Sequence, residues 1–186
     1  MKDTKEKLLE TAYGLVQQKG INGMSYRDLS EALGIRKASI HYHLPKKEDM
    51  VEALIDRCDA ADLRRYAEIA GLDETPESKL LRIAAFYAAG IRSGRLCIIG
   101  IMSAEQDSLN KSCDNKLKQA INRRVSVFSR IFREAADRGE LKEGTDCEDT
   151  ARAFLSLLIG GQMIGKSAGS ADPFNRSIET FLSLVF

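Results

Sequence analysis

Proline is absent from long stretches of this chain. Its 186 residues contain three prolines, at positions 45, 76 and 173, and between them apolar residues recur every three or four positions. Proline interrupts an α-helix because its ring removes an amide hydrogen and clashes with the preceding turn. Apolar residues spaced by three and four share one face of a helix. The pattern therefore predicts an all-α fold with about nine helices.

Capping and stop signals divide this pattern into elements. Ser25 and Asp28 form an S-x-x-D start signal, and Gly20 is placed to end the first helix in the left-handed conformation. Thr75 before Pro76 predicts another helix start, and the segment TDCE at 145–148 predicts a capping box. The predicted helices are about 4–19, 25–33, 36–43, 46–70, 75–93, 112–138, 146–165 and 172–185, with a short apolar piece, LCII, between Gly94 and Gly100.

The overall composition describes an ordinary globular protein. The N-terminal segment carries charges within its apolar pattern, so it predicts neither a signal peptide nor a membrane span, and we expect a cytoplasmic protein without a membrane partner. The four cysteines, Cys58, Cys97, Cys113 and Cys147, form no C-x-x-C pair. We therefore expect no zinc site, no disulfide framework and no cofactor.

A short basic window interrupts this near-neutral background. The chain has 28 Lys and Arg against 27 Asp and Glu, a net charge of +1, which by itself does not indicate nucleic-acid binding. No acidic residue lies between Glu31 and Glu48, however. That window contains both histidines of the chain and four basic residues, Arg36, Lys37, Lys46 and Lys47. A basic face could therefore lie within a neutral protein.

The same region has the pattern of a helix-turn-helix. Residues 25–47 read SYRDLSEALGIRKASIHYHLPKK, with a small residue at Ser30, a glycine at Gly34, and apolar residues at Leu29, Leu33, Ile35 and Ile40. Two crossing helices need a small residue at the contact and a permissive turn. The alternative is a helical hairpin inside an all-α core. The third helix argues against that alternative, because its residues are mostly polar: Arg36, Lys37, Ser39, His41, Tyr42 and His43. Such side chains suit base edges and phosphates.

The segment from Thr4 to Met50 resembles the N-terminal domain of the TetR family of transcriptional repressors, with IHYHLPKKED similar to the family signature. Two residues depart from it, because His41 replaces the usual tyrosine and Leu44 the usual phenylalanine. The resemblance implies a DNA-binding domain at 1–46 and a helical effector-binding and dimerisation domain at 47–186. It places Arg27, Lys37, Ser39 and Tyr42 at base-reading or groove-facing positions and Ser25, His41 and Lys47 at phosphates. Alternatively, Arg27 pairs with Glu31 on its own helix.

The family's C-terminal helices bind a small effector and pair two subunits. Aromatic and sulfur-containing residues predict an effector pocket at Tyr66, Phe86, Tyr87, Cys97, Met102, Phe128 and Phe132. Apolar residues of the last two helices predict a dimer interface at Phe154, Leu157, Leu158, Gly161, Phe174, Ile178 and Phe181. Each set could instead be core within the chain. The segment RLCIIGIMSAE at 95–105 resembles that of electrophile- and quinone-responsive repressors, where Arg95 could favour a Cys97 thiolate.

These features together predict a homodimeric repressor that a small hydrophobic or electrophilic effector releases from a palindromic operator. One alternative is a DNA-binding architectural protein that tolerates any sequence. Another is an all-helical enzyme, which would need Glu-x-x-His pairs on facing helices. Since the two histidines lie at positions 41 and 43, we do not expect an enzyme.

Overall fold

The computed structural model describes residues 2–186, with side chains from Thr4 onward. Within these residues it is all-helical, which confirms the predicted fold class. The nine α-helices are α1 (Lys2–Lys19), α2 (Tyr26–Leu33), α3 (Lys37–His43), α4 (Lys47–Ala70), α5 (Pro76–Arg92), α6 (Ile98–Ala104), α7 (Lys111–Asp137), α8 (Cys147–Ala168) and α9 (Asp172–Val185). A 3-10 turn at Gln106–Ser108 precedes α7. No described helix is long and apolar enough to cross a membrane.

Local signals explain several helix ends. Ser25 caps α2, where it and Asp28 complete the predicted capping box, and Thr75 caps α5 through the amide of Ser78. Gly20 ends α1 with a φ of 77°, in the left-handed region that favours glycine. A Cβ atom at Gly20 would also lie 2.0 Å from Glu105 Oε1. The turn after α1 therefore favours glycine for its backbone conformation, whereas the Glu105 side chain could move away from a Cβ atom.

Two local predictions were wrong. The apolar piece LCII does not end at Gly100, since helix α6 begins at Ile98 within it and continues through Gly100 to Ala104. Ile98, Ile99 and Met102 of this helix are fully buried. At α8 the N-cap is Asp146, whose carboxylate accepts hydrogen bonds from the amides of Glu148 and Asp149. The hydroxyl of Thr145 instead donates to the Lys142 carbonyl. The helix is therefore capped by Asp146, one residue after the predicted cap Thr145, and the predicted capping box does not form.

The chain divides into two compact units. The first contains residues up to Ala60 together with Ile98–Ala120, and the second contains Ala61–Cys97 and Ile121–Phe186. The boundary predicted after residue 46 stays a prediction. Helix α4 begins at Lys47 and continues to Ala70 without interruption. Its buried residues Met50, Leu54 and Ile55 belong to the first unit. Helix α3 itself ends at His43, two residues before Pro45.

In the first unit, α1 packs against α2 and α6, and α2 packs against α3. Leu8, Ala12 and Val16 form the buried stripe of α1. The Glu105 carboxylate accepts the amide of Asn22 at 2.8 Å, and the Asn22 side chain donates to Ser108 Oγ at 2.9 Å. These bonds join the turn after α1 to the segment between α6 and α7.

In the second unit, α8 and α9 pack along each other, and α5 packs against both. Edge-to-face aromatic contacts build its centre, including Tyr66 with Phe128 and Phe128 with Phe154. Gly161 permits the close approach of α9, since a Cβ there would lie 2.9 Å from the Phe174 ring. Lys79 is buried and paired with Glu134 at 2.8 Å.

Candidate nucleic-acid interface

Helices α2 and α3 form the predicted helix-turn-helix. Gly34, with a φ of 64°, donates its amide to the Ser30 carbonyl, and the Ile35 amide donates to the same oxygen at 3.2 Å. The Ser30 hydroxyl then bonds the Ile35 carbonyl at 2.6 Å. Ser30 is therefore more than a small residue at a helix crossing, because its side chain closes the turn that sets the angle of α3.

Helix α3 presents a polar face to solvent. Its apolar residue Ile40 is completely buried, whereas Tyr42 is 68% exposed. Arg36, Lys37 and His41 are exposed, and Ser39 and His43 are partly buried. The Tyr42 and His43 rings contact each other edge to face, with centroids 5.0 Å apart. Donor groups and an aromatic ring thus lie together on one short helix, and such donor groups suit the base edges of a major groove.

Two predicted DNA contacts on α2 already have partners within the chain. Arg27 Nε lies 2.7 Å from Glu31 Oε1, which is the alternative pairing expected from the sequence. The hydrogen bond that Arg27 donates to the Glu31 carboxylate raises the pKa of Arg27. Ser25 is engaged in its cap, and Asp28 also pairs with Lys19 at 2.7 Å. The hydrogen bonds from Lys19 and Ser25 hold the pKa of Asp28 well below its usual range.

The segment that joins α3 to α4 contains a residue that sequence reasoning missed. The Tyr26 hydroxyl lies 2.8 Å from the Leu44 carbonyl and 2.7 Å from the Lys46 carbonyl. Burial, followed by the charges of Asp49 and Glu48, raises the pKa of Tyr26 to about 12. No motif predicted this contact.

His41 and Lys47 flank the same segment. His41 Nδ1 lies 3.3 Å from the Pro45 carbonyl, which favours the tautomer with the proton on Nδ1. Lys47 is partly buried at the start of α4, in a small cleft with Asn110 and Cys113. Burial raises the pKa of the Cys113 thiol to about 11, which lowers the fraction of thiolate, the nucleophilic form, at neutral pH.

The residues predicted for an effector pocket lie in different surroundings. Tyr66, Tyr87, Phe128 and Phe132 are buried in the core of the second unit, and Cys97 is partly buried against it. Phe86 is partly exposed, with the Arg65 guanidinium 3.8 Å above its ring. Met102 belongs to the first unit. The burial of the four aromatic residues favours the alternative given above, in which they belong to the hydrophobic core.

Polar groups that sequence reasoning missed lie within this aromatic core. The Tyr66 and Tyr87 hydroxyls are 3.0 Å apart. Gln162 donates to the Tyr87 carbonyl at 3.0 Å and accepts from the Cys97 amide at 2.6 Å. Asp62 and Arg124 form a buried ion pair at 2.7 Å. The available signal was a charged residue on an apolar stripe, since Arg124 lies one turn before Phe128 on α7.

The residues predicted at a dimer interface separate into two groups. Phe154, Leu158, Gly161, Phe174 and Ile178 are buried in the chain's own core, which favours the core alternative for these five. Leu157 and Phe181 are only partly buried. The most exposed apolar side chains of the two helices are Ile164 on α8, at 64%, and Leu184 on α9, at 68%. Helices α8 and α9 thus expose apolar residues, but most of these are not the residues predicted for the dimer interface.

No group of three or more His, Cys, Asp or Glu side chains in the described part of the chain is placed to hold a metal ion. No disulfide forms within residues 2–186.

Two family sequence models match the chain. The model described as "Bacterial regulatory proteins, tetR family" matches residues 8–54, which include α2 and α3. The model described as "Tetracyclin repressor-like, C-terminal domain" matches residues 76–181. The second match alone covers more than half of the chain.

Individual relatives agree with these matches. The chain is 23% identical over 191 residues to the HTH-type transcriptional repressor NemR of Escherichia coli K12, covering 98% of this chain and 94% of NemR. It is 33% identical over 54 residues to IcaR of Staphylococcus epidermidis, the HTH-type negative transcriptional regulator of the biofilm operon icaADBC, with 29% of each protein covered.

Solved structures share the fold. A TetR-family transcriptional regulator from Agrobacterium tumefaciens superposes with a TM-score of 0.94 at 21% identity, covering 99% of this chain and 98% of that one. The reduced form of E. coli NemR superposes with a TM-score of 0.84 at 20% identity, covering 99% and 97%.

Proposed function

The chain belongs to the tetR family of bacterial regulatory proteins, and on this premise we propose that it is a homodimeric repressor released from a palindromic operator by a small hydrophobic or electrophilic effector. Its helix-turn-helix makes it a DNA-binding transcriptional regulator. The exposed polar face of α3, above a fully buried Ile40, is the observation that carries the proposal. The names of NemR and IcaR, a repressor and a negative regulator, support repression.

Sequence-specific DNA binding is tested by selecting duplexes from a random library with the full-length protein. The affinity for the selected duplex is then compared with that for a scrambled duplex of the same composition, over a range of salt concentrations. We expect roughly a thousandfold or greater preference at physiological salt and an inverted repeat in the selected sequence. Equal affinities for both duplexes would support the architectural alternative instead.

Replacing Lys47 or Tyr42 by alanine should separate two kinds of DNA contact. Lys47→Ala should weaken binding to both duplexes and lower the slope of log affinity against log salt by about one, because one phosphate contact is lost. Tyr42→Ala should remove about 1–3 kcal/mol of discrimination between the duplexes and leave the salt slope unchanged. Titrations by fluorescence anisotropy distinguish these results, and the reverse pattern would contradict the assigned roles.

Dimerisation is proposed through α8 and α9. A single α3 contacts only a few base pairs, so two copies at half-sites about one helical turn apart are needed for a selective operator. The two helices already pack against each other and expose Ile164 and Leu184. A second copy of this pair would complete a four-helix bundle and cover those side chains.

The aromatic core of the second unit is the proposed effector site. Tyr66 and Tyr87 offer hydroxyl groups beside Gln162 and Cys97, and apolar rings surround them. Apolar walls with a few convergent polar groups are typical of small-molecule sites. A flat, largely apolar ligand with one or two carbonyl or hydroxyl oxygens fits this chemistry.

Cys97 is the proposed point of attack for an electrophilic effector. Its thiolate would add to a ring carbon of a quinone, forming a C–S bond while the quinone oxygen takes up a proton. A quinone should therefore release the wild type and Cys147→Ser from the selected duplex, but not Cys97→Ser. Cys147 is a suitable control because it is also a partly buried cysteine of the second unit. Equal release of all three proteins would contradict a role for Cys97.

A further inference from the structure

Tyr26 connects the first helix of the helix-turn-helix to the segment that leaves the second. It lies at the start of α2, and its hydroxyl is within hydrogen-bond distance of the carbonyls of Leu44 and Lys46. A phenol has one proton, so the two acceptors share it in a three-centre bond or accept it alternately. A single side chain thus holds two carbonyls of the segment between α3 and α4.

The remaining polar groups of this segment are also held. The Tyr26 ring contacts the His41 ring edge to face, with centroids 4.9 Å apart, and His41 Nδ1 approaches the Pro45 carbonyl. The Lys46 amide donates to Asp49 Oδ2 at 3.0 Å. The carbonyls of three consecutive residues, 44–46, therefore have a partner on α2 or α3, and the segment has little freedom to shift.

The surroundings indicate a role beyond packing. Leu44 is almost completely buried, so this side chain already anchors the segment to the core. Tyr26 contacts the His41 ring and the Lys46 carbonyl, and Lys47 directly follows Lys46 in the chain. The side chains of His41, Lys46 and Lys47 can each donate to a phosphate. Phosphate contacts set the orientation of a protein on a duplex, and small displacements of the donors weaken them.

We propose that Tyr26 is a positioning residue for DNA binding, which acts by holding the α3–α4 segment so that His41, Lys46 and Lys47 meet the phosphates while α3 lies in the groove. The inference rests on the proposed DNA contacts of α3. Tyr26 itself does not read bases, and its effect is transmitted through the flanking cations.

The test is Tyr26→Phe in the full-length chain, which keeps the ring and removes the hydroxyl. Its affinity for both the selected and the scrambled duplex should fall about 3- to 10-fold, the equivalent of one hydrogen bond, because phosphate contacts are independent of sequence. The salt slope should fall by up to about one. Tyr13→Phe is the matched control, since it removes a hydroxyl of the same unit that contacts Cys58, and should bind DNA as the wild type does.

A double-mutant cycle with Lys47→Ala separates positioning from general destabilisation. If Tyr26 acts through the flanking cations, Tyr26→Phe should cost less affinity in the Lys47→Ala background than in the wild type. Additive losses, or wild-type affinity of Tyr26→Phe for both duplexes, would overturn the proposal. If the wild-type protein bound the selected and the scrambled duplex equally well, the proposed sequence-specific function would be contradicted. The effect of Tyr26→Phe on affinity could still be measured on either duplex.

Discussion

Replacing Asp62 by alanine is expected to lower the free energy of unfolding by about 3–5 kcal/mol. Asp62 Oδ2 lies 2.7 Å from Arg124 Nη2, and the two side chains are 6% and 0% exposed. Removing the carboxylate takes a charge partner away from a guanidinium that is completely buried. Urea denaturation followed by helical circular dichroism measures the loss.

The double variant Asp62→Ala with Arg124→Met is the control for this prediction. It removes both charges, and an apolar pair of similar volume is often as stable as a buried ion pair. We therefore expect the double variant to recover most of the lost stability. If Asp62→Ala alone lowered the free energy of unfolding by less than about 1 kcal/mol, Asp62 and Arg124 would not form the buried ion pair described here.

Ile164→Asp should convert the protein from a dimer into a monomer and weaken operator binding about a hundredfold or more. The charge would lie in the proposed interface between the α8–α9 pairs, where it has no partner and loses its hydration. A monomer also loses the avidity of two linked half-site contacts. Analytical ultracentrifugation should report a species near the chain mass of 20.6 kDa in place of one twice as large.

Leu81→Asp provides the comparison for Ile164→Asp. Leu81 is a partly exposed leucine on α5 of the same unit, 42% accessible, and it lies outside the proposed interface. Its variant should remain dimeric and bind the operator normally. A dimer that persists in Ile164→Asp at the same protein concentration would contradict the α8–α9 interface.

The helix-turn-helix could be predicted almost completely because its determinants are local. The capping box of Ser25 with Asp28 acts over three residues, and Gly34 needs only its own backbone freedom. The polar character of α3 is likewise visible in seven consecutive residues. Tyr26 was missed because its partners lie 18 and 20 residues away, across a segment whose path no local rule specifies.

The second unit was less predictable from sequence. An apolar helix such as α8 must be covered, but periodicity does not say whether another helix of the chain or a partner covers each face. Phe154 and Leu158 are covered within the chain, whereas Ile164 remains exposed. Gly161 was assigned to an interface, yet it accommodates Phe174 of the same chain.

The amino-acid sequence by itself determined the all-α class, the helix-turn-helix and its exposed basic helix, because helix periodicity and capping depend on residues a few positions apart. Only the tertiary structure decided which apolar faces remain exposed, how Asp62 meets Arg124, and how Tyr26 holds the segment after α3. Those contacts join residues distant in sequence, so their free energies depend on which elements the folded chain brings together.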